Sequence, residues 1–130
     1  MIGGWVLDVD ALSGFASGGS VYAQAVVWTA VEESVVLAVP AAVLATSIAA
    51  LSEKHQPALD VLLNLPVTIV EDLTCQRAHE VGQLLASASE GDLAIGHAVR
   101  CAKDRNWPLV TADAVAARRL DPGVYVRELP

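Results

Sequence analysis

Apolar residues fall along the chain in short runs, separated by longer stretches with helical spacing. The run Trp5-Val6-Leu7 predicts a first strand over Met1 to Val9. Ala11 to Phe15 predicts a short helix or turn, which Gly18-Gly19-Ser20 breaks, and Ser20 is placed to cap a helix running to Glu33. Val21, Ala25, Trp28 and either Val27 or Val31 are its expected buried face. Val35 to Val39 predicts the second strand, and Pro40 opens a helix to about Leu51. After a break at His55-Gln56-Pro57, a short helix is expected over Ala58 to Asn64 and a third strand over Val67 to Val70. Thr74 then begins a helix that reaches about Ala88.

The stretch Glu90 to Asp113 reads EGDLAIGHAVRCAKDRNWPLVTAD. Asp92 heads a helix whose Leu93, Ile95, Ala98, Val99 and Ala102 share one face, and an acid suits that end of the helix dipole. Asn106 and Pro108 stop it. Leu109-Val110-Thr111 reads as a short buried strand that delivers Asp113 just past its end. A short helix at Ala114 to Leu120, a turn at Asp121-Pro122-Gly123 and an edge strand at Val124 to Arg127 complete the chain. Strands alternating with helices predict βαβ units. The expected architecture is a single three-layer α/β/α domain over residues 1–130, around a mainly parallel sheet of four to five strands.

Composition supports this. The chain is 54% hydrophobic, rich in Val, Ala and Leu, as strands buried on both faces require. The formal charge of −7 opposes long-range capture of nucleic acid, but it is unevenly spread. Before Pro66 there are six acids and one base; after it nine acids face seven bases, so basic residues are expected around a site in the second half. Cys75 and Cys101 sit in apolar helical context without metal spacing, which reads as two reduced, buried thiols of a cytoplasmic protein. No signal-peptide pattern opens the chain. Ser34 to Ser52 carries no charge, but Pro40 divides it, and a strand leading into a helix explains it better than a membrane span.

Candidate chemistry rests on aspartates. Asp8 and Asp10 follow the first strand, Asp113 follows the fourth, and Asp92 heads the intervening helix. Ligands bind beyond the carboxyl ends of parallel strands, so Asp8, Asp92 and Asp113 are expected to meet there. Two carboxylates about 4 Å apart cost roughly 4 kcal/mol at an effective dielectric of 20. Three together call for a cation or raised pKa values, and oxygen-only ligands favour Mg²⁺ or Mn²⁺. Each aspartate also suits a plain helix cap. His55, His79 and His97 lack the i+4 partner of a metal pair.

The opening VLDVDAL, the helix VPAAVLATSIAAL, Asp92 at the head of its helix, and PLVTAD together resemble a PIN domain, the ribonuclease fold of VapC-type toxins. The resemblance spans nearly the whole chain. It implies metal-assisted hydrolysis of RNA to a 5′-phosphate and a 3′-hydroxyl, with Asp8, Asp92 and Asp113 as catalytic metal ligands and Thr111 as a supporting hydroxyl. It further implies a homodimer and an inhibitory antitoxin. Thr46 occupies the position where the family usually has Glu, so four carboxylates become three. Asp10 stands where the family often has a small polar residue; it is expected either to restore part of that charge as a further ligand or to cap the Ala11 helix.

Three other readings stand beside this one. A PIN-like domain without catalysis, kept for binding RNA or protein, fits the loss of the second acid. Asp8-Val9-Asp10 matches the opening of haloacid dehalogenase phosphatases, but no Lys follows Lys103 and Gly91-Asp92 does not follow a strand. A receiver domain, suggested by Glu71-Asp72, lacks the same late Lys.

Overall fold

Five short apolar runs pair into one sheet in the computed structural model, which describes residues 3–130. They are β1 (Gly4–Leu7), β2 (Val36–Pro40), β3 (Thr68–Glu71), β4 (Leu109–Thr111) and β5 (Val126–Glu128). Met1 and Ile2, the start of the expected first strand, lie outside the described residues. Every pairing is parallel and the order is β3-β2-β1-β4-β5. Val6, Leu7, Leu37, Val39, Leu109 and Val110 are all excluded from solvent, which is why these strands read as continuous apolar runs rather than alternating ones.

The helices are α1 (Val9–Ser17), α2 (Val21–Glu33), α3 (Ala41–Ala50), α4 (Gln56–Leu63), α5 (Cys75–Ala88), α6 (Leu93–Arg105) and α7 (Ala114–Leu120). The chain steps outward from β1 to β3, returns to β4, and continues to β5 on the far side. Right-handed crossovers therefore place α1, α2 and α4 on one face and α5–α7 on the other, giving the three layers, while α3 packs against both α1 and α6. Ser34, Ser89 and Asn106 end α2, α5 and α6 in the left-handed conformation, a common way to stop a helix.

Several expectations need correction. The first helix starts at Val9, directly off Asp8, and α4 takes in Pro57 in its first turn instead of breaking there. α2 buries Ala23, Val26, Val27 and Ala30, while Val21 and Trp28 are 79% and 43% exposed. Its sequence is apolar all round, so periodicity singled out no face and packing decided it. Leu93 is exposed at the head of α6, whereas His97 and Cys101 join the buried face. Cys75 is exposed at the start of α5; Cys101 is the buried thiol. Among the described residues no helix is long and apolar enough to cross a membrane.

Candidate active site

The sheet reverses its direction of growth between β1 and β4, and a crevice opens at the carboxyl ends of the strands at such a switch point. Asp8 leaves β1 there, and Asp113 leaves β4 one strand away. Gly91, with φ of +90°, turns the chain into Asp92 at the head of α6. Asp8, Asp10, Asp92, Asp113 and Thr46 all line one pocket of about 330 Å³, walled by Val9, Ala94, Ile95 and Ala116.

Local structure explains how each acid arrives. Asp8, Asp92 and Asp113 are the N-caps of α1, α6 and α7. Oδ1 of Asp8 accepts the Val9 N–H at 2.8 Å, Oδ1 of Asp92 the Ile95 N–H at 3.0 Å, and Oδ1 of Asp113 the Ala116 N–H at 3.0 Å. Capping and convergence are thus the same fact: three helices begin at one crevice, each carrying its cap carboxylate into it. Each positive helix end offsets some of the acids' mutual repulsion, typically by about 0.3–1 kcal/mol.

Asp8 is the buried member, 6% exposed. Burial raises its carboxyl above the usual carboxylate range; the Val9 N–H and Thr111 hydroxyl oppose the shift, while the charges of Asp10 and Asp92 add to it. Thr111 is wholly buried behind Asp8 and donates to its Oδ2 at 2.8 Å. The same hydroxyl accepts the Asp113 N–H at 3.1 Å. Asp10 lies inside α1, so the capping role considered for it belongs to Asp8; its Oδ2 accepts the Ala112 N–H at 3.1 Å. Thr46 turns its hydroxyl back to the Ala42 carbonyl at 2.8 Å.

Two features set limits. Among the described residues, no three acids, cysteines or histidines stand close enough together to share one metal ion. No Lys or Arg lines the pocket. Most of the basic residues expected around it are paired elsewhere: Arg77 with Asp104, Arg100 with Glu80 and Asp104, Lys103 with Asp121, Arg105 with Glu71 and Arg119 with Glu90. Arg127 stacks over Trp5. The donor chemistry nevertheless fits a hard cation. The second oxygens of Asp92 and Asp113 accept no hydrogen bond among the described residues. Mg²⁺ is commonly held by one or two carboxylates, with water and substrate phosphate filling the rest.

No protein-family model matches the sequence, and neither does any curated protein. Among solved structures, the chain is similar to one in the crystal structure of VapBC2 from Rickettsia felis bound to a DNA fragment from their promoter. The TM-score is 0.72 and the identity 17%, with 100% of each chain covered. At that identity the likeness is one of fold.

Proposed function

We propose that this chain is a metal-dependent endoribonuclease of the PIN type, the toxin of a toxin–antitoxin pair, acting at the pocket of Asp8, Asp92 and Asp113. The carrying observation is that these three cap carboxylates line one pocket at the sheet's switch point. The fold shared with a chain of VapBC2 supports the toxin reading and, with it, an antitoxin partner; a homodimer is what the PIN resemblance implies.

Asp92 and Asp113 would hold Mg²⁺ or Mn²⁺ through their free oxygens, with Asp8 at the pocket floor. Such a cation supplies an activated water and offsets charge on the attacked phosphate. Asp8, fixed by the Val9 N–H and the Thr111 hydroxyl, sets the floor of the site without needing to move. With no base in its lining, the pocket accepts a phosphodiester only when its negative charge is neutralised.

One observation favours a second reading, a PIN-like binding module with weakened or absent catalysis. α3 brings the Thr46 hydroxyl, committed to Ala42, where a further carboxylate would complete the site. The deciding experiment is cleavage of structured RNA with Mg²⁺ by the wild type, Asp92→Asn and Thr46→Glu, alongside Mn²⁺ titration by calorimetry. Wild-type cleavage that Asp92→Asn abolishes and Thr46→Glu raises supports the nuclease. Absence of Mn²⁺ binding at millimolar concentration and of any cleavage refutes it in favour of the binding module.

A further inference from the structure

We infer that Asp10 is a positioning residue, which fastens the turn between β4 and α7 and thereby aims Asp113 into the pocket. The inference rests on the function proposed above for what Asp113 does, but the fastening itself is a property of the metal-free chain.

The turn leaves the sheet at Thr111 and enters α7 at Ala114. Its two intervening N–H groups, those of Ala112 and Asp113, are held by side chains. The Ala112 N–H goes to Asp10 Oδ2 at 3.1 Å, and the Asp113 N–H goes to Thr111 Oγ1 at 3.1 Å. Thr111 Oγ1 also lies 3.4 Å from Asp10 Oδ2, but its single proton has the nearer acceptor in Asp8 Oδ2 at 2.8 Å. Asp10 therefore acts chiefly on Ala112. Ala112 and Asp10 are both exposed. Without Asp10, water would take the Ala112 N–H, leaving the Thr111–Asp8 bond to tie the turn to the head of α1.

A fastener and a ligand make different demands on residue 10. A ligand draws much of its hold on a divalent cation from its negative charge; a fastener needs only an acceptor. Asn keeps an acceptor oxygen and removes the charge, whereas Ala removes both.

The test uses ¹⁵N-labelled full-length protein. Amide exchange at Ala112 is read without metal in the wild type, Asp10→Asn and Asp10→Ala, with Leu37 and Val110 as folding controls. Mn²⁺ affinity is then read by calorimetry. Exchange at Ala112 should be alike in the wild type and Asp10→Asn, and about tenfold or more faster in Asp10→Ala, while both control amides stay protected. Mn²⁺ affinity should fall within about threefold in Asp10→Asn, since only an exposed charge is lost. It should fall about tenfold or more in Asp10→Ala, as on losing a supporting partner of a ligand. Unchanged exchange at Ala112 in Asp10→Ala overturns the fastening. Equal loss of Mn²⁺ affinity in both variants makes Asp10 a ligand and overturns the positioning role. A wild type that takes up no Mn²⁺ refutes the nuclease reading alone, and the Ala112 comparison then decides the fastening by itself.

Discussion

Thr111 donates from Oγ1 to Oδ2 of Asp8 at 2.8 Å, joining residues 103 positions apart at the adjacent carboxyl ends of β4 and β1. Both residues are buried, so the bond has no water to replace it. Thr111→Val keeps the shape and removes the donor. It should destabilise the protein by about 1–3 kcal/mol, the usual cost of leaving a buried polar group unpaired. Thr111→Ser should restore most of that loss. Urea unfolding of the three proteins checks it, and equal midpoints for Val and wild type would contradict the bond's role.

Asp8 also shapes how stability depends on pH. Burial raises its folded pKa above the ordinary 3.8, so the folded state holds more protons than the unfolded state just above that pH. Its contribution to stability therefore falls as pH rises from 3.8 through the folded pKa, and the full penalty is present at neutrality. Asp8→Asn cannot ionise and keeps an acceptor for the Val9 N–H. It keeps one acceptor where Asp8 has two, a loss that is the same at every pH. The metal-free variant's urea midpoint relative to the wild type should therefore rise as pH rises from 3.8 through the folded pKa. The same variant should weaken Mn²⁺ binding, because it removes a negative charge from the floor of the pocket. A gap independent of pH would show that the carboxyl titrates normally.

His97 predicts the opposite slope. It is wholly buried in α6; Nδ1 accepts the Ala42 N–H at 3.3 Å, and Nε2 makes no hydrogen bond among the described residues. Burial lowers its pKa below 6.5, Arg77 adds to this, and Glu71 and the Asp72 backbone oppose it. Protons then bind the unfolded state first, so stability drops as pH falls from 6.5 to the folded pKa. Between about pH 7 and about pH 5 the wild type should lose more of its urea midpoint than His97→Gln does. Parallel curves would contradict the shift.

The two cysteines should react very differently. Cys75 is exposed, whereas Cys101 is 2% exposed and its thiol is pushed up to about 12, first by burial and then by Glu71. At about pH 8, a disulfide reagent should modify Cys75 in the folded protein and reach Cys101 only after denaturation. Rapid modification of Cys101 in the native state would mean that α6 opens locally.

The sheet and the place of the acids were legible from local signals. Apolar runs marked every strand to within a few residues, and an aspartate at the head of a helix marks both a cap and a route into the crevice. What failed to show was decided by packing across long separations. The buried face of α2 could not be chosen from a stretch apolar all round, and Cys75 ended up outside because α5 buries only Val81. The bond between Asp10 and Ala112 spans 102 positions, so residue 10 offered two local roles, ligand and cap, and the structure shows a third partner. The bases after Pro66 looked available from their number; ion pairs with Glu71, Glu80, Glu90, Asp104 and Asp121 take up most of them.

Two glycines test how far backbone space decides stability, because the same substitution should act with opposite signs. Gly4 is the first residue of β1, and a Cβ there would stand 2.4 Å from the Trp107 ring. Arg105 stacks over that ring at 4.7 Å, so the ring cannot swing clear without breaking a second contact. Gly4→Ala should therefore destabilise the protein by about 1–3 kcal/mol, as overpacking does. Gly82 lies within α5, where, beyond the helix's own backbone, a Cβ meets none of the described residues within 4 Å. Gly82→Ala removes unfolded-state freedom without strain and should stabilise by about 0.5–1 kcal/mol. Urea midpoints moving in opposite directions confirm the contrast. A shift in the same direction for both would mean that the Trp107 ring yields more readily than its packing indicates.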